Sequence, residues 1–288
     1  MVGSHSHRLT RAPTSDAVAA FRRDGASVLR GLFSPGEIDR LREGVEEDLR
    51  DPSPRAKIAS RAGDPGRFFE DFCNWRRIDG FRRFLTDSPI AAAAGALMGG
   101  RTARFYHDHV LVKTPGTRQR TPWHQDQPYY NIEGRQSVSF WIPIDPVPRE
   151  STLECVAGSH LGPWLMPRAF LDGHAQWFPE GALADLPDIE ADRAAHTILG
   201  WALAPGDAVA FHMLTLHGAA GVAPGQTRRV FSARFLGDDI RHAPRRWATS
   251  PEFPGLADEL PAGAPMDHAL FPILWRRPAA LANSRDTP

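Results

Sequence analysis

Apolar positions recur along this chain with two different periods, and the change of period divides it. In residues 35–50, PGEIDRLREGVEEDLR, the apolar residues Ile38, Leu41, Val45 and Leu49 are spaced by 3, 4 and 4. That is one face of an amphipathic helix with a charged outer side. Ser34 supplies its N-cap, Pro35 the first helical position and Glu37 an acid in the first turn. An earlier helix starts near Ser15, carries Val18 and Phe21 on one face and stops at Gly25; a short strand over 27–30 follows. Residues 89–98, PIAAAAGALM, form a third helix that ends at Gly99-Gly100. Residues 51–67 are polar with Pro and Gly, a pattern of a mobile loop. The stretch from Phe68 to Asp79 carries Phe68, Phe69, Phe72 and Trp75, and serves equally as core, as a lid or as one wall of a substrate pocket.

From about residue 102 the apolar period falls to two, with turn residues between short runs. Strands are expected at Thr102–Lys113, 136–144, Leu153–Val156, Ala208–His217 and Arg228–Leu236. Residues 161–196, with Trp164 and Trp177, are long and irregular, a length that in a compact domain points to function or disorder. Together with 51–75 they are expected to shape the substrate pocket and to be partly mobile. Many short strands after a helical start, without βαβ alternation, predict a mainly β fold with flanking helices, an antiparallel sandwich or barrel. The expected layout is a disordered tail (1–14) and a single domain (15–288), with its β core at about 102–240 and a proline-rich extension at 241–288.

Composition narrows the function classes. The chain has 288 residues, with 34 Lys+Arg against 34 Asp+Glu, so no net charge favours a nucleic-acid partner. No run of about 18 apolar residues predicts a membrane span, and the first residues carry no signal-peptide run. Cys73 and Cys155 are the only cysteines and form no C-x-x-C. The expected setting is therefore the reducing cytoplasm. Nothing in the pattern sets an oligomeric state.

The candidate chemistry starts at Thr121–Asp126, TPWHQD. His124 and Asp126 lie two apart, which on an extended strand aims both at one side. A second histidine would complete a 2-His-1-carboxylate facial triad, which leaves positions on a ferrous ion open for oxygen and a co-substrate. With 12 histidines and 34 acids in the chain, one H-x-D also fits a half-buried histidine beside a solvated aspartate. Ala208–His217, AVAFHMLTLH, offers the second histidine. Alternation places Val209, Phe211, Met213, Thr215 and His217 on one face and His212 on the other, so at most one enters the site. His217 borders Gly218-Ala219-Ala220-Gly221, where small residues leave room for a ligand; it is the expected third ligand, and His212 a core or outer-face residue. A dicarboxylate chelating the metal at one end needs a cation at the other, and arginine's planar fork fits a carboxylate. Arg228, Arg229 and Arg234 compete for that role, each otherwise a solvated surface charge.

Four blocks in order carry a family resemblance: TPWHQDQPYYNIEGRQSVSFWIPID (121–145), TLECVAGSH (152–160), PGDAVAFHMLTLHG (205–218) and RRVFSARF (228–235). They resemble the phytanoyl-CoA dioxygenase family over roughly residues 15–240. The resemblance implies a double-stranded β-helix (jelly-roll, cupin-like) core and a dioxygenase that uses Fe(II), 2-oxoglutarate and O2. It implies His124, Asp126 and His217 as iron ligands and Arg228 as partner of the 2-oxoglutarate C5 carboxylate. Trp141 and Thr152 match positions lining the co-substrate pocket, and Lys113 matches a recurrent lysine. Strand parity agrees on Arg228, with Arg229 on the opposite face; Arg234, about 20 Å further along at strand rise, is expected to lie beyond the pocket that His217 borders. Two departures stand out. Ala219 replaces a Ser or Thr that donates to the co-substrate in relatives, and Glu150-Ser151 replaces a usual Asn-Gly, altering a turn. Asp126 keeps the carboxylate that halogenating relatives lose, so hydroxylation or a related oxidation is implied. The substrate is expected to be a small molecule, acyl or specialised metabolite; the aromatics at 68–75, 129–130, 164 and 177 fit an apolar or mixed one. Two other readings remain: a cupin-like metalloenzyme without 2-oxoglutarate, which keeps the ligands but does not need Arg228, and a non-catalytic β-helix binding module, which is expected to lose a ligand.

Overall fold

The computed structural model describes residues 11–167 and 183–278. The helical part forms as its pattern predicts. α1 (Ser15–Asp24) is capped by the Thr14 hydroxyl and ends at Gly25, whose φ of 79° suits a residue without Cβ. β1 (Ala26–Leu29) leads to α2 (Pro35–Arg50), which opens with a reciprocal Ser34–Glu37 capping box. Arg11 Nη2 donates to Glu37 Oε1 at 2.8 Å, so the chain is anchored from Arg11 onward and not from residue 15; residues 1–10 of the expected tail lie outside the described residues. β2 (Lys57–Ile58) and β3 (Phe68–Phe72) lie where a loop and an undecided aromatic stretch were expected. α3 (Asp79–Asp87) was not predicted: its N-cap is Ile78, with no capping side chain, and Gly80 sits in its first turn. That glycine lets α3 approach α2, since a Cβ there would sit 2.6 Å from the Arg40 carbonyl. α4 (Ile90–Met98) follows as expected.

The strands after it are β4 (Thr102–Lys113), β5 (Thr121–His124), β6 (Ile132–Glu133), β7 (Ser137–Pro143), β8 (Leu153–Val156), β9 (Ile198–Leu199), β10 (Ala208–Phe211), β11 (His217–Ala219), β12 (Arg228–Leu236) and β13 (Arg241–His242). A short α5 (Leu256–Glu259) and β14 (Ile273–Arg276) complete the described chain. The larger sheet runs β1-β10-β7-β12-β4-β3-β2, with β14 also on β4, and the smaller runs β5-β11-β8-β9; all pairs are antiparallel. These two sheets make the double-stranded β-helix. Alternation along β12 turns Phe231, Ala233 and Phe235 outward into a core with Phe81, Phe84 and Leu41 of the helices. Its other face, with Trp141, Val209, Phe211 and Leu153, is turned between the sheets.

One expectation about the strands needs correction. Ala208–His217 is not one strand. It breaks after Phe211, and His217 begins β11 in the smaller sheet. Residues 212–216 carry the chain across without Gly or Pro; His212 Nδ1 accepts from Leu214 N at 3.0 Å, and Met213 O accepts from Asp126 N at 2.8 Å. The 241–278 part of the proline-rich extension is built into the fold. β14 pairs with β4, and Leu256, Leu260, Met266 and Phe271 form a second core with Tyr106, Tyr130 and Leu236. Of the long 161–196 stretch, residues 168–182, with Trp177, lie outside the described residues. Among the described residues no helix is long and apolar enough to cross a membrane.

Behind β3, Asp48 of α2 accepts from Asn74 Nδ2 and Arg77 Nη2, with Oδ2 unpartnered. Burial, then the Asp71 carboxylate, pushes its pKa up to about 8, against about 3.9 unfolded. The folded state thus holds a proton that the unfolded chain releases between those values, and stability falls as pH rises through the window. Asp48→Asn is expected to remove this slope. Its melting temperature should gain on the wild type steadily from pH 5 to 8; parallel melting curves across that range would refute the raised pKa.

Candidate active site

The cavity between the sheets has a volume of about 310 Å³, and strand register lays out its floor. One row across the larger sheet is Arg228 (β12), Lys113 (β4) and Phe68 (β3). The next is Val230, Leu111, Glu70 and, from β2, Lys57. The third is Trp141 (β7), Ser232, His109 and Phe72, and the fourth Ser139, Arg234 and His107. The smaller sheet forms the roof, where His217 is paired directly with His124.

His124, Asp126 and His217 come together under that roof, each offering a ligand atom within 4.8 Å of the others. Asp126 Oδ1 lies 3.6 Å from His124 Nε2 and 3.7 Å from His217 Nε2. His124 Nδ1 sits 2.8 Å from the Pro122 carbonyl and His217 Nδ1 2.9 Å from the Thr215 carbonyl. A ring nitrogen beside a carbonyl must carry its proton there, so both Nε2 lone pairs face Asp126. Burial, then His124, pushes the His217 pKa down to about 3, keeping the ring neutral. Burial works to raise the Asp126 pKa, but Arg234 and the histidines outweigh it and hold the carboxylate ionised. Asp126 Oδ2 is itself occupied. Ser139 Oγ donates to it at 2.9 Å and Arg234 Nε lies 3.3 Å away, while Arg234 Nε also donates to Tyr130 Oη at 2.6 Å. Two imidazoles and one fixed carboxylate oxygen are a donor set for a first-row divalent ion. Bonds of about 2.1 Å at right angles place donors about 3 Å apart, so small side-chain movements close the set.

The H-x-D convergence does not arise on one strand. β5 ends at His124, and Asp126 has helical dihedrals at the head of a 3-10 turn. Gln125 between them points away, donating to Leu214 O at 2.9 Å and accepting from Leu165 N at 2.8 Å. His212 stays out of the site, but because it lies in the crossing turn, with Nε2 donating to Arg135 O at 2.7 Å, and not by strand parity. Arg234 is the larger correction. The cavity runs along β12, so Arg234 lines its metal end while Arg228 lines the other.

At that other end Arg228 is 4% exposed and donates Nη1 to the Ser151 carbonyl, beneath the face of Trp141 at 5.7 Å. Burial alone pulls its pKa down to about 10. No carboxylate pairs with it among the described residues, whereas Arg229 is bound to Asp145 at 2.7 Å on the outer face. Lys113, also on the wall, donates to Gln119 O at 2.7 Å and Ala220 O at 3.2 Å. The Ser151 of the altered turn thus supplies the carbonyl that orients Arg228. Thr152 is buried with its hydroxyl unpartnered, but it is not on the cavity wall. Ala219 is, and its cross-strand neighbour Thr121 places a hydroxyl-bearing side chain on the same wall. Sequence reasoning missed Ser139, Glu70 and His109; period-two alternation on β7 and β4 marks Ser139 and His109 as facing with Trp141 and Lys113, while Tyr130, expected only as one of the aromatics at 129–130, also holds Arg234.

The family model described as phytanoyl-CoA dioxygenase (PhyH) matches residues 21–230. An ectoine dioxygenase from Stutzerimonas stutzeri (strain A1501) is 25% identical over 249 residues, covering 82% of each chain. Among solved structures, the non-heme alpha-ketoglutarate-dependent carbocyclase SnoK from nogalamycin biosynthesis superposes with a TM-score of 0.72 at 23% identity, over 92% of this chain and 97% of that one. The epimerase SnoN in complex with Fe3+, alpha ketoglutarate and nogalamycin RO gives 0.70 at 22% identity, over 90% and 98%.

Proposed function

The chain belongs to the phytanoyl-CoA dioxygenase family, and on that premise we propose that it uses iron(II), 2-oxoglutarate and O2 to hydroxylate a small molecule, releasing succinate and CO2. In this reading His124, Asp126 and His217 hold the iron, and Arg228 takes the far carboxylate of 2-oxoglutarate. The observation that carries it is Arg228: a buried guanidinium, facing the cavity, with no carboxylate partner among the described residues. A buried cation left unpaired is costly, and a bound dicarboxylate relieves that cost. A metalloenzyme without 2-oxoglutarate would have no use for it.

Bound iron would supply oxygen activation coupled to decarboxylation of the co-substrate. The chain's residues do the rest. Lys113 is paired with Arg228 across the sheet, where burial and then the guanidinium push its amine toward the neutral form, and Trp141 covers the guanidinium and keeps water from it. Ser139 and Arg234 hold Asp126 Oδ2, which leaves Oδ1 for the metal. His217, held neutral by its burial, brings no proton to be displaced on metal binding. Because Asp126 retains its carboxylate, no ligand position is vacated for a halide, which favours hydroxylation over halogenation. The β12 side of the floor suits the co-substrate, and the β4–β3–β2 side is left for the substrate.

The test is succinate formation by protein loaded with Fe(II) without air and then given 2-oxoglutarate and O2. Succinate should require both iron and 2-oxoglutarate and stop on chelation. No succinate under these conditions would sink the reading, and oxygen uptake independent of 2-oxoglutarate would favour the cupin-like alternative.

A further inference from the structure

The cavity face of β3 reads Phe68, Glu70, Phe72, an acid between two aromatic residues. Glu70 is 1% exposed and lines the cavity, yet neither of its carboxylate oxygens accepts a hydrogen bond. His109 Nε2 lies 3.2 Å from Oε1, an ion-pair contact in which neither atom makes a well-formed hydrogen bond. Lys57 Nζ is 3.6 Å from Oε2 on a half-exposed side chain at the sheet edge. Burial works to raise the Glu70 pKa, but His109, Lys57 and Lys113 outweigh it, so the group stays ionised. A buried carboxylate held only by these two contacts, with no well-formed hydrogen bond to either oxygen, gains from the arrival of a donor.

The co-substrate does not provide that donor. Glu70 lies two strands from β12, about 10 Å at ordinary strand spacing, off the line from the metal ligands to Arg228. A dicarboxylate also carries the same charge and offers no proton. An aliphatic acyl chain laid over Glu70 would bury the carboxylate without a partner.

We propose that Glu70, with His109 beside it, determines substrate specificity: its carboxylate accepts a hydrogen bond from a hydroxyl or protonated amine, so the substrate is a polar, donor-bearing molecule and not an acyl chain. Calling that ligand the substrate rests on the proposed function; the site itself does not. Lys57 covers Glu70 from the edge and moves aside when the ligand's donor takes its place. Phe72, stacked on His109 with ring centroids 3.9 Å apart, gives the ligand's carbon skeleton an apolar surface next to the acceptor.

Four probes test this by calorimetric titration into protein loaded anaerobically with Fe(II) and 2-oxoglutarate: cyclohexanol, cyclohexylamine, methoxycyclohexane and octanoate. At least one of the first two should bind the wild type about ten-fold or more tightly than either of the others. Which one does so tells hydroxyl from ammonium. The preference should shrink about ten-fold in the isosteric Glu70→Gln and reverse in Glu70→Leu; should the latter not fold, Glu70→Gln decides. No preference in the wild type, tighter binding of methoxycyclohexane or octanoate, or an unchanged ranking in Glu70→Gln overturns the proposal. The titration reads binding without turnover, so a failure to form succinate counts against the proposed function alone.

Discussion

His217→Ala is expected to lower iron affinity by more than about 100-fold and to abolish succinate formation, and His124→Ala and Asp126→Ala to do the same. Loss of a hydrogen-bonding partner behind a metal ligand already costs about 10–100-fold in affinity, and loss of the ligand itself costs more. Ser139→Ala and Arg234→Leu calibrate the scale, because they free Asp126 Oδ2 without removing a ligand atom; each should fall within that 10–100-fold range. His212→Ala is the control. Its imidazole bridges Leu214 N and Arg135 O in the crossing turn, so its removal should destabilise the protein by about 1–3 kcal/mol and leave iron stoichiometry unchanged. Iron content after anaerobic loading and desalting reads all six variants. Iron retained by His217→Ala, or lost from folded His212→Ala, would reassign the third ligand.

Arg228→Ala is expected to raise the KM for 2-oxoglutarate by roughly two to three and a half orders of magnitude, because losing one partner of a buried charge pair costs about 3–5 kcal/mol. Arg228→Lys should recover only part, since an ammonium does not make the forked contact. Arg229→Ala should leave that KM within about two-fold, because its guanidinium serves Asp145 on the outer face. Succinate formation against 2-oxoglutarate concentration separates the three. A wild-type KM in Arg228→Ala would remove the far-carboxylate assignment. A large KM effect in Arg229→Ala would mean that β12 turns its other face to the cavity, contrary to the outward packing of Phe231 and Phe235.

The nature and order of the candidate groups are legible along the chain, because they depend on residue identity and on distances of a few residues. The helix periods at α1, α2 and α4, the period-two strands after residue 102, the H-x-D pair and the parity of β12 are all local properties. Parity puts Arg228 and Arg229 on opposite faces because β12 is a single strand with its apolar residues on one face. The same argument does not apply to His212 and His217: the chain leaves one sheet for the other between them, through a turn with no glycine or proline. Arg234 was misplaced for a related reason. The distance of about 20 Å from Arg228 was sound, but the cavity's direction along β12 is a property of two facing sheets.

By itself, then, the sequence determined the H-x-D pair, the candidate histidines and arginines, and which way a continuous strand such as β12 faces. The tertiary structure alone decided how those strands are set against one another. It put His217 opposite His124 across a register between residues 93 positions apart, placed Arg234 and Ser139 behind Asp126, and left Glu70 without a well-formed hydrogen bond beside His109 in the same cavity. The physical reason is that alternation and periodicity record only what adjacent residues share with a common surface. A site wall is made by hydrogen-bond register between distant strands and by turns whose geometry comes from side chains such as His212, and neither leaves a local pattern.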